Sequence, residues 1–398
     1  MEFSKQVIDI LSAAPTYFHF IKLVKSRLLS CGYVEKTEFE SFENIPSKFF
    51  VVRDNQSLVA VNLATKDAGV IVGSNYEWNG IWCNAKMWDD NVYEKIVTEM
   101  HGNNEICTWI DRDLKIAGRV IIRGNDNKYA MKLVDTDYPV SFIPGLSVNL
   151  ALSKMRSFPN YKKEDFYTFI GFNSDDEKEK GINSNVLMGI LAKECNCSIN
   201  DIIDFEIYFV PYQNPNLIGT DKKLLTSPRI SNIGASIASL LAFENVEKIE
   251  NGMCILSLFN TKTDLLSSLL KKMNVNDTFY QKAIFTSVKC INGHNPNFSD
   301  KLKPILGKGP VITNLSPYIS PKTLFLKEIQ EMKSVKLQFS TSQTVTSDPI
   351  QCIITKLGLQ SFEIAIPVLG KDSIIETCSI DDLDELTKFI QALFIKCC

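Results

Sequence analysis

The chain has 398 residues, 45% of them hydrophobic and 22% charged, the balance of a globular protein. That length holds two or three compact domains, or one large domain carrying an insertion. A net charge of −3 leaves no electrostatic footprint for nucleic acid, and the longest apolar stretch, 233–243, is too short to span a bilayer.

Residues Val7, Ile10 and Leu11, then Phe20, Ile21, Val24 and Leu28, recur at helical spacing around a break at Pro15. Nothing in the opening Met1-Glu2-Phe3-Ser4-Lys5 reads as the basic region of a signal peptide. Two strand-like runs follow at 49–52 and 58–61, facing each other across the polar turn 54–57. The short apolar run 70–73 has the character of a buried strand.

From about Trp82 to about Ile203 the pattern changes to alternating segments such as 119–123 and 129–134, with a long polar section at 159–180. This reads as a strand-rich insertion. The α/β rhythm is expected to resume with a strand at 205–210, an apolar helix at 233–243 and strands at 253–259 and 362–366. A last helix should open at Ser379, with Asp382 three residues on completing a capping box. Its apolar stripe is Leu383, Leu386, Phe389, Ile390 and Leu393.

There are 11 cysteines but no CxxC pair, which favours reduced thiols in an intracellular, cytoplasmic protein. Cys397-Cys398 resembles a prenylation signal of small GTPases and keeps open a lipid-tethered binding protein. No P-loop, G-x-S-x-G or G-x-G-x-x-G occurs.

Several phrases, in order, resemble the aspartyl aminopeptidase family of zinc metallopeptidases. Ala14-Pro15-Thr16-Tyr17-Phe18-His19 is similar to that family's S-P-T/S-P-F-H, and Lys48-Phe49-Phe50-Val51-Val52-Arg53 to its K-Y-F-x-T-R. The strongest likeness is Thr108-Trp109-Ile110-Asp111-Arg112-Asp113-Leu114 with Ala117-Gly118-Arg119-Val120, against T-W-F-D-R-D-L-x-x-A-G-R-V. Pro228-Arg229, Lys308-Gly309-Pro310-Val311-Ile312 and Leu357-Gly358-Leu359 continue it to the end of the chain. The resemblance implies an α/β fold, a three-layer, mostly parallel sheet of the zinc-aminopeptidase type. It also implies a peptidase-like domain of 1–82 and 207–398 and an inserted dimerisation domain of 83–206.

A two-zinc aminopeptidase needs carboxylates and imidazoles converging on the metals and a glutamate to activate the bridging water. The resemblance places those roles at Asn75, Glu77, Ser231, Lys262, Thr263, Lys289 and Asp372, and only Glu77 and Asp372 keep a carboxylate. A family histidine that reaches a neighbouring subunit is replaced by Asn149, and the substrate loop is rewritten over 342–351. A divalent cation beside a protonated Lys262 or Lys289 would meet roughly 8 kcal/mol of repulsion at an effective dielectric of 20. No metal and no cofactor are therefore expected, although the family uses two zinc ions. Instead, Lys262 and Lys289 should neutralise Glu77 and Asp372 in a pocket that folds without metal.

Trp109, Asp111, Arg112 and Asp113 are expected to order a loop or subunit contact, His19 to be structural and Cys290 to be a buried thiol. A relocated single metal on His294, Asp372 and Glu77 is the competing use of those groups. The first reading is thus an inactive homologue acting as a scaffold or regulator, assembled with itself as dimer to dodecamer, or with an active paralogue. The second is an aminopeptidase with residual or altered metal-dependent activity on N-terminal acidic residues. Nucleic acid and membrane are not expected partners.

Overall fold

The computed structural model describes residues 2–76, 80–89, 93–101, 106–124, 128–145, 147, 167–172, 186–246, 249–259, 264–297, 304–313, 321–340 and 349–397. Pro15 separates helix α1 (Glu2–Ala13) from α2 (Tyr17–Ser30), as its missing amide and fixed φ dictate. After β1 (Val34–Lys36), strands β2 (Lys48–Arg53) and β3 (Ser57–Leu63) form an antiparallel hairpin. Asp54 and Asn55 turn it with φ of 54° and 53°, the left-handed conformation that Asn and Asp tolerate best among side-chain-bearing residues.

The heart of the molecule is four parallel strands in the order β13 (Met253–Phe259), β4 (Gly69–Asn75), β14 (Ile284–Asn292) and β17 (Gln360–Leu369). β13 is buried along its whole length, so it reads as an unbroken apolar run, as a strand covered on both faces must. The β2–β3 hairpin extends one edge antiparallel to β13. On the other side follow β18 (Glu376–Ser379), β12 (Leu224–Ser227) and β11 (Asn216–Ile218). The short β15 (Val311–Thr313) and β16 (Gln338–Phe339) branch from β17. The fold is α/β, with a mixed sheet whose core is parallel.

One face of this sheet is covered by α1, α2, α4 (Ala235–Glu244), α7 (Pro321–Lys333) and α9 (Ile380–Cys397). The other carries α5 (Leu265–Lys272), α6 (Asp277–Lys282) and α8 (Pro349–Leu357). α4 is buried all round from Ala235 to Phe243, and it is correspondingly apolar on every side. Each of its buried Leu, Ile or Phe side chains contributes about 1.5–3 kcal/mol relative to exposure.

A second, antiparallel sheet of six described strands runs β8 (Tyr129–Asp135), β7 (Leu114–Arg123), β10 (Ile202–Pro211), β5 (Gly80–Asp89), β6 (Tyr93–His101) and β9 (Tyr167–Phe172). Helix α3 (Val186–Cys195) packs against it. The run 205–210 therefore does not resume the α/β rhythm. It lies in β10, between β7 and β5 of this sheet. Apolar periodicity marks a half-buried strand without saying which sheet it joins.

Asp382 also departs from expectation. Its carboxylate accepts from the Gly307 and Gly309 amides at 2.8 and 2.7 Å, tying that loop to α9. Burial pushes its pKa up to about 6.

Candidate functional site

In open α/β sheets, ligands are taken at the carboxyl ends of the parallel strands, and four of the seven positions singled out by the resemblance lie among the described residues near that edge. Asn75 is the last residue of β4 and pairs with Phe259, the last residue of β13. On the other flank Val288 of β14 pairs with Ser74, so Lys289 and Asn75 follow side by side. The buried Asn75 Oδ1 has no hydrogen-bond partner among the described residues. Glu77, Lys262, Thr263 and Asn149 lie outside the described residues, as does most of the rewritten loop.

Lys289 does not pair with Asp372. Its ammonium lies 2.7 Å from Glu363 Oε2, on the adjacent strand β17, and Glu363 is 3% exposed in its side chain. The Thr313 hydroxyl donates to the other Glu363 oxygen. A buried carboxylate is thereby neutralised by one cation and one hydroxyl. The Asp372 carboxylate instead meets the neighbouring Lys371, whose ammonium lies 2.8 Å from each of its oxygens. The reason is local: Asp372 sits in the tight turn closed by Ser373 N donating to Gly370 O, with a left-handed φ of 67°.

Ser231 and Asp372 are joined by a residue the sequence did not single out. Glu376, at the start of β18, is 2% exposed and accepts from Ser231 N at 2.6 Å and from Asp372 N at 2.8 Å. Ser231 lies in the π-helical turn Ile230–Gly234 that leads into α4, entered from Arg229 at a left-handed φ of 66°. Burial pushes the Glu376 carboxyl up to about 7, against the pull of those amides. The buried Arg229 guanidinium donates to Leu11 O at 3.0 Å, and desolvation lowers its pKa to about 10 while leaving it charged at neutral pH. Trp109, Arg229, Asn232, Asp372 and Glu376 line a shallow cleft.

The Trp109–Asp113 phrase borders this cleft, with Trp109 in its lining. Thr108 Oγ1 accepts from Ile374 N at 3.0 Å, binding the phrase to the 370–376 turn. Asp111, at φ 57°, accepts from Gly145 N at 2.7 Å, and Asp113 O accepts from Tyr212 N at 2.9 Å. Arg112 and the Asp113 side chain stay exposed. A lone acid inside an apolar run was the available signal for both missed residues: Glu376 follows Ile374-Ile375, and Glu363 sits between Phe362 and Ile364.

Cys290 lies in the strand β14, its thiol donating to Ile230 O at 3.5 Å, and burial pushes its pKa up to about 12. That is the chemistry of an inert packing thiol. His19 Nδ1 lies 2.8 Å from Thr16 Oγ1, and burial, with Lys22 next, holds its pKa down to about 4. Since the unfolded chain titrates near 6.5, it binds more protons than the folded one between pH 6.5 and 4. This stabilisation is complete above 6.5 and is lost as pH falls toward 4. His19→Gln should therefore show an acid-side loss smaller than the wild type's by on the order of 3 kcal/mol in urea unfolding. Equal slopes for both proteins would place the imidazole in water.

The family model for aminopeptidase I zinc metalloprotease (M18) matches residues 10–394. The probable M18 family aminopeptidase 2 of Clostridium acetobutylicum is 26% identical over 423 aligned residues, covering 96% of this chain and 96% of that protein. The aspartyl aminopeptidase of Dictyostelium discoideum is 24% identical over 472, covering 98% and 96%. Among solved structures, Chaetomium thermophilum mApe1 superposes with a TM-score of 0.87 at 20% identity, covering 99% of this chain and 97% of that one. Likeness at that identity shows the fold.

The family is one of zinc enzymes, which corrects the expectation that no cofactor is to be looked for. The donors at the described positions are nevertheless an amide (Asn75), a hydroxyl (Ser231), an ammonium (Lys289) and one lysine-paired carboxylate (Asp372). Among the described residues, no three His, Cys, Asp or Glu side chains stand together so as to hold a metal. This set does not fit a pair of zinc ions. Matched over nearly its whole length, the chain belongs to the M18 family of zinc aminopeptidases.

Proposed function

We propose that this chain is a catalytically inactive M18 homologue that works through assembly, as a scaffold or as a regulatory subunit beside an active copy. One observation carries the reading: the ammonium of Lys289, at a position within β14 where the family resemblance puts a metal-binding aspartate, is committed to the buried Glu363. Asn75 and Ser231 supply neither charge nor imidazole. The degenerate positions Asn75, Glu77, Ser231, Lys262, Thr263, Lys289 and Asp372, with Asn149, then have no catalytic duty. Trp109, Asp111, Arg112 and Asp113 keep a structural one.

Assembly from dimer to dodecamer belongs to the same proposal. A solved neighbour is described as the S. cerevisiae mApe1 dodecamer, with a TM-score of 0.83 at 21% identity. The insertion 83–206 is the segment proposed to dimerise. It contains β6, β7, β8 and β9 of the antiparallel sheet, with β5 and β10 at its boundaries. The proposed location is the cytoplasm. No helix among the described residues is long and apolar enough to cross a membrane. The competing lipid-tether reading rests on Cys397 and Cys398, of which Cys398 lies outside the described residues.

The test is release of aspartate or glutamate from acidic aminoacyl substrates by protein given added zinc, with sedimentation velocity on the same preparation. No turnover from an assembled particle is expected. Turnover would restore the residual-peptidase reading, and a monomer would remove the assembly half.

A further inference from the structure

Away from the candidate site, one polar cluster ties three parts of the chain together, and neither the family chemistry nor the proposed function uses it. Glu206 of β10 receives donors on both oxygens. Oε1 accepts from the hydroxyl of Tyr17, at the start of α2, and from that of Tyr208 at 2.8 Å. Oε2 accepts from Arg119 of β7, through Nε at 3.1 Å and Nη2 at 2.7 Å. Arg119 also lies over the Phe18 ring, 4.2 Å from its centroid, and its Nη1 reaches Asp54 O in the β2–β3 turn at 3.4 Å. Tyr17 and Tyr208 are 4% and 8% exposed.

The carboxylate, the guanidinium and Tyr208 belong to the antiparallel sheet. Tyr17, Phe18 and Asp54 belong to the α/β body. Two of these charge-assisted bonds cross between the bodies, Tyr17 to Glu206 and Arg119 to the Asp54 carbonyl, while Arg119 and Tyr208 brace Glu206 from within the sheet. Such bonds are roughly twice as strong as neutral ones. A fork on one side and a phenol on the other also fix direction, because both must meet one carboxylate plane.

We propose that Tyr17, Glu206 and Arg119 form a conformational latch that holds the antiparallel sheet at a fixed angle on the α/β body. The two sheets reorient only when it opens. Apolar packing around Phe18 stays in place on opening but sets no angle, since dispersion and hydrophobic contacts are not directional. The latch stands whether or not the chain has lost catalysis.

Hydrogen exchange by mass spectrometry on the full chain tests it, using Glu206→Gln, Arg119→Ala and the milder Tyr17→Phe. Opening the latch should speed exchange of β7 and β10 amides roughly tenfold to a hundredfold in the first two variants, from the loss of hydrogen bonds to a charged group. Amides of β4 and β13 should exchange as in the wild type. Tyr17→Phe keeps the ring packing and should give a smaller change confined to the same strands. A uniform rise across both sheets would show a plain loss of stability and overturn the latch, as would no change in any variant.

Discussion

Lys289→Met is expected to lower folding stability by about 3–5 kcal/mol, although it adds apolar surface to a mostly apolar sheet. The loss comes from the partner left behind. Glu363 is 2% exposed, and without the ammonium at 2.7 Å only the Thr313 hydroxyl remains on its carboxylate. A buried charge stripped of its counter-ion costs far more than the pair contributed in the first place. The double variant Lys289→Met with Glu363→Leu should recover most of that loss, because no charge is then stranded. Denaturant midpoints of the two singles and the double form the cycle that measures the coupling. A single-variant cost under about 1 kcal/mol would class the pair with solvent-screened surface bridges.

Gly309→Ala should be comparably damaging, at roughly 2–6 kcal/mol, from backbone strain and overpacking together. Gly309 has φ of +91°, a conformation nearly reserved for glycine, and an added Cβ would stand 2.1 Å from the Lys336 carbonyl oxygen. That oxygen is main chain and cannot swing away. The Gly309 amide is also held by Asp382 at 2.7 Å, so the loop cannot shift without releasing that bond. Gly32→Ala is the control: its φ is +82° but nothing lies within 4 Å of the new Cβ, leaving only the conformational term. Thermal unfolding that ranked the two variants equally would remove the steric argument.

Gly309 shows how the sequence speaks and where it stops. The phrase Lys308-Gly309-Pro310 was legible as a family likeness, yet the carbonyl that forbids a side chain belongs to Lys336, which only the fold brings near. Local chemistry was read well wherever neighbours in sequence decide the outcome. Pro15 splits two helices, and Asp54-Asn55 turns a hairpin. Pairings between distant segments were not legible. Lys262 and Lys289 were expected to neutralise Glu77 and Asp372, but adjacent parallel strands put Glu363 at the Lys289 ammonium, while the Gly370–Ser373 turn hands Asp372 to Lys371. Asp382 likewise fitted a capping pattern three residues after Ser379, and long-range packing gave its oxygens to Gly307 and Gly309. β10 failed for the same reason, since its alternation is satisfied by either sheet.

The candidate site divides along that line. The residue types at Asn75, Ser231 and Lys289, on which the proposed loss of ligands rests, were visible in the sequence. What now occupies the site was not visible, because Glu363 and Glu376 are ordinary acids until burial places them. Glu376 connects Ser231 and Asp372 through two main-chain amides that no motif encodes.

Aminopeptidase turnover measured against an active M18 relative under the same conditions is the most direct test of lost catalysis. Both proteins would be supplied with zinc, manganese or cobalt and assayed on substrates with N-terminal aspartate or glutamate. The commitment of Lys289 to Glu363 predicts no release by this chain with any metal, while the relative turns over. Metal-dependent release that disappears with chelator would contradict it and make the chain a working peptidase with an altered site.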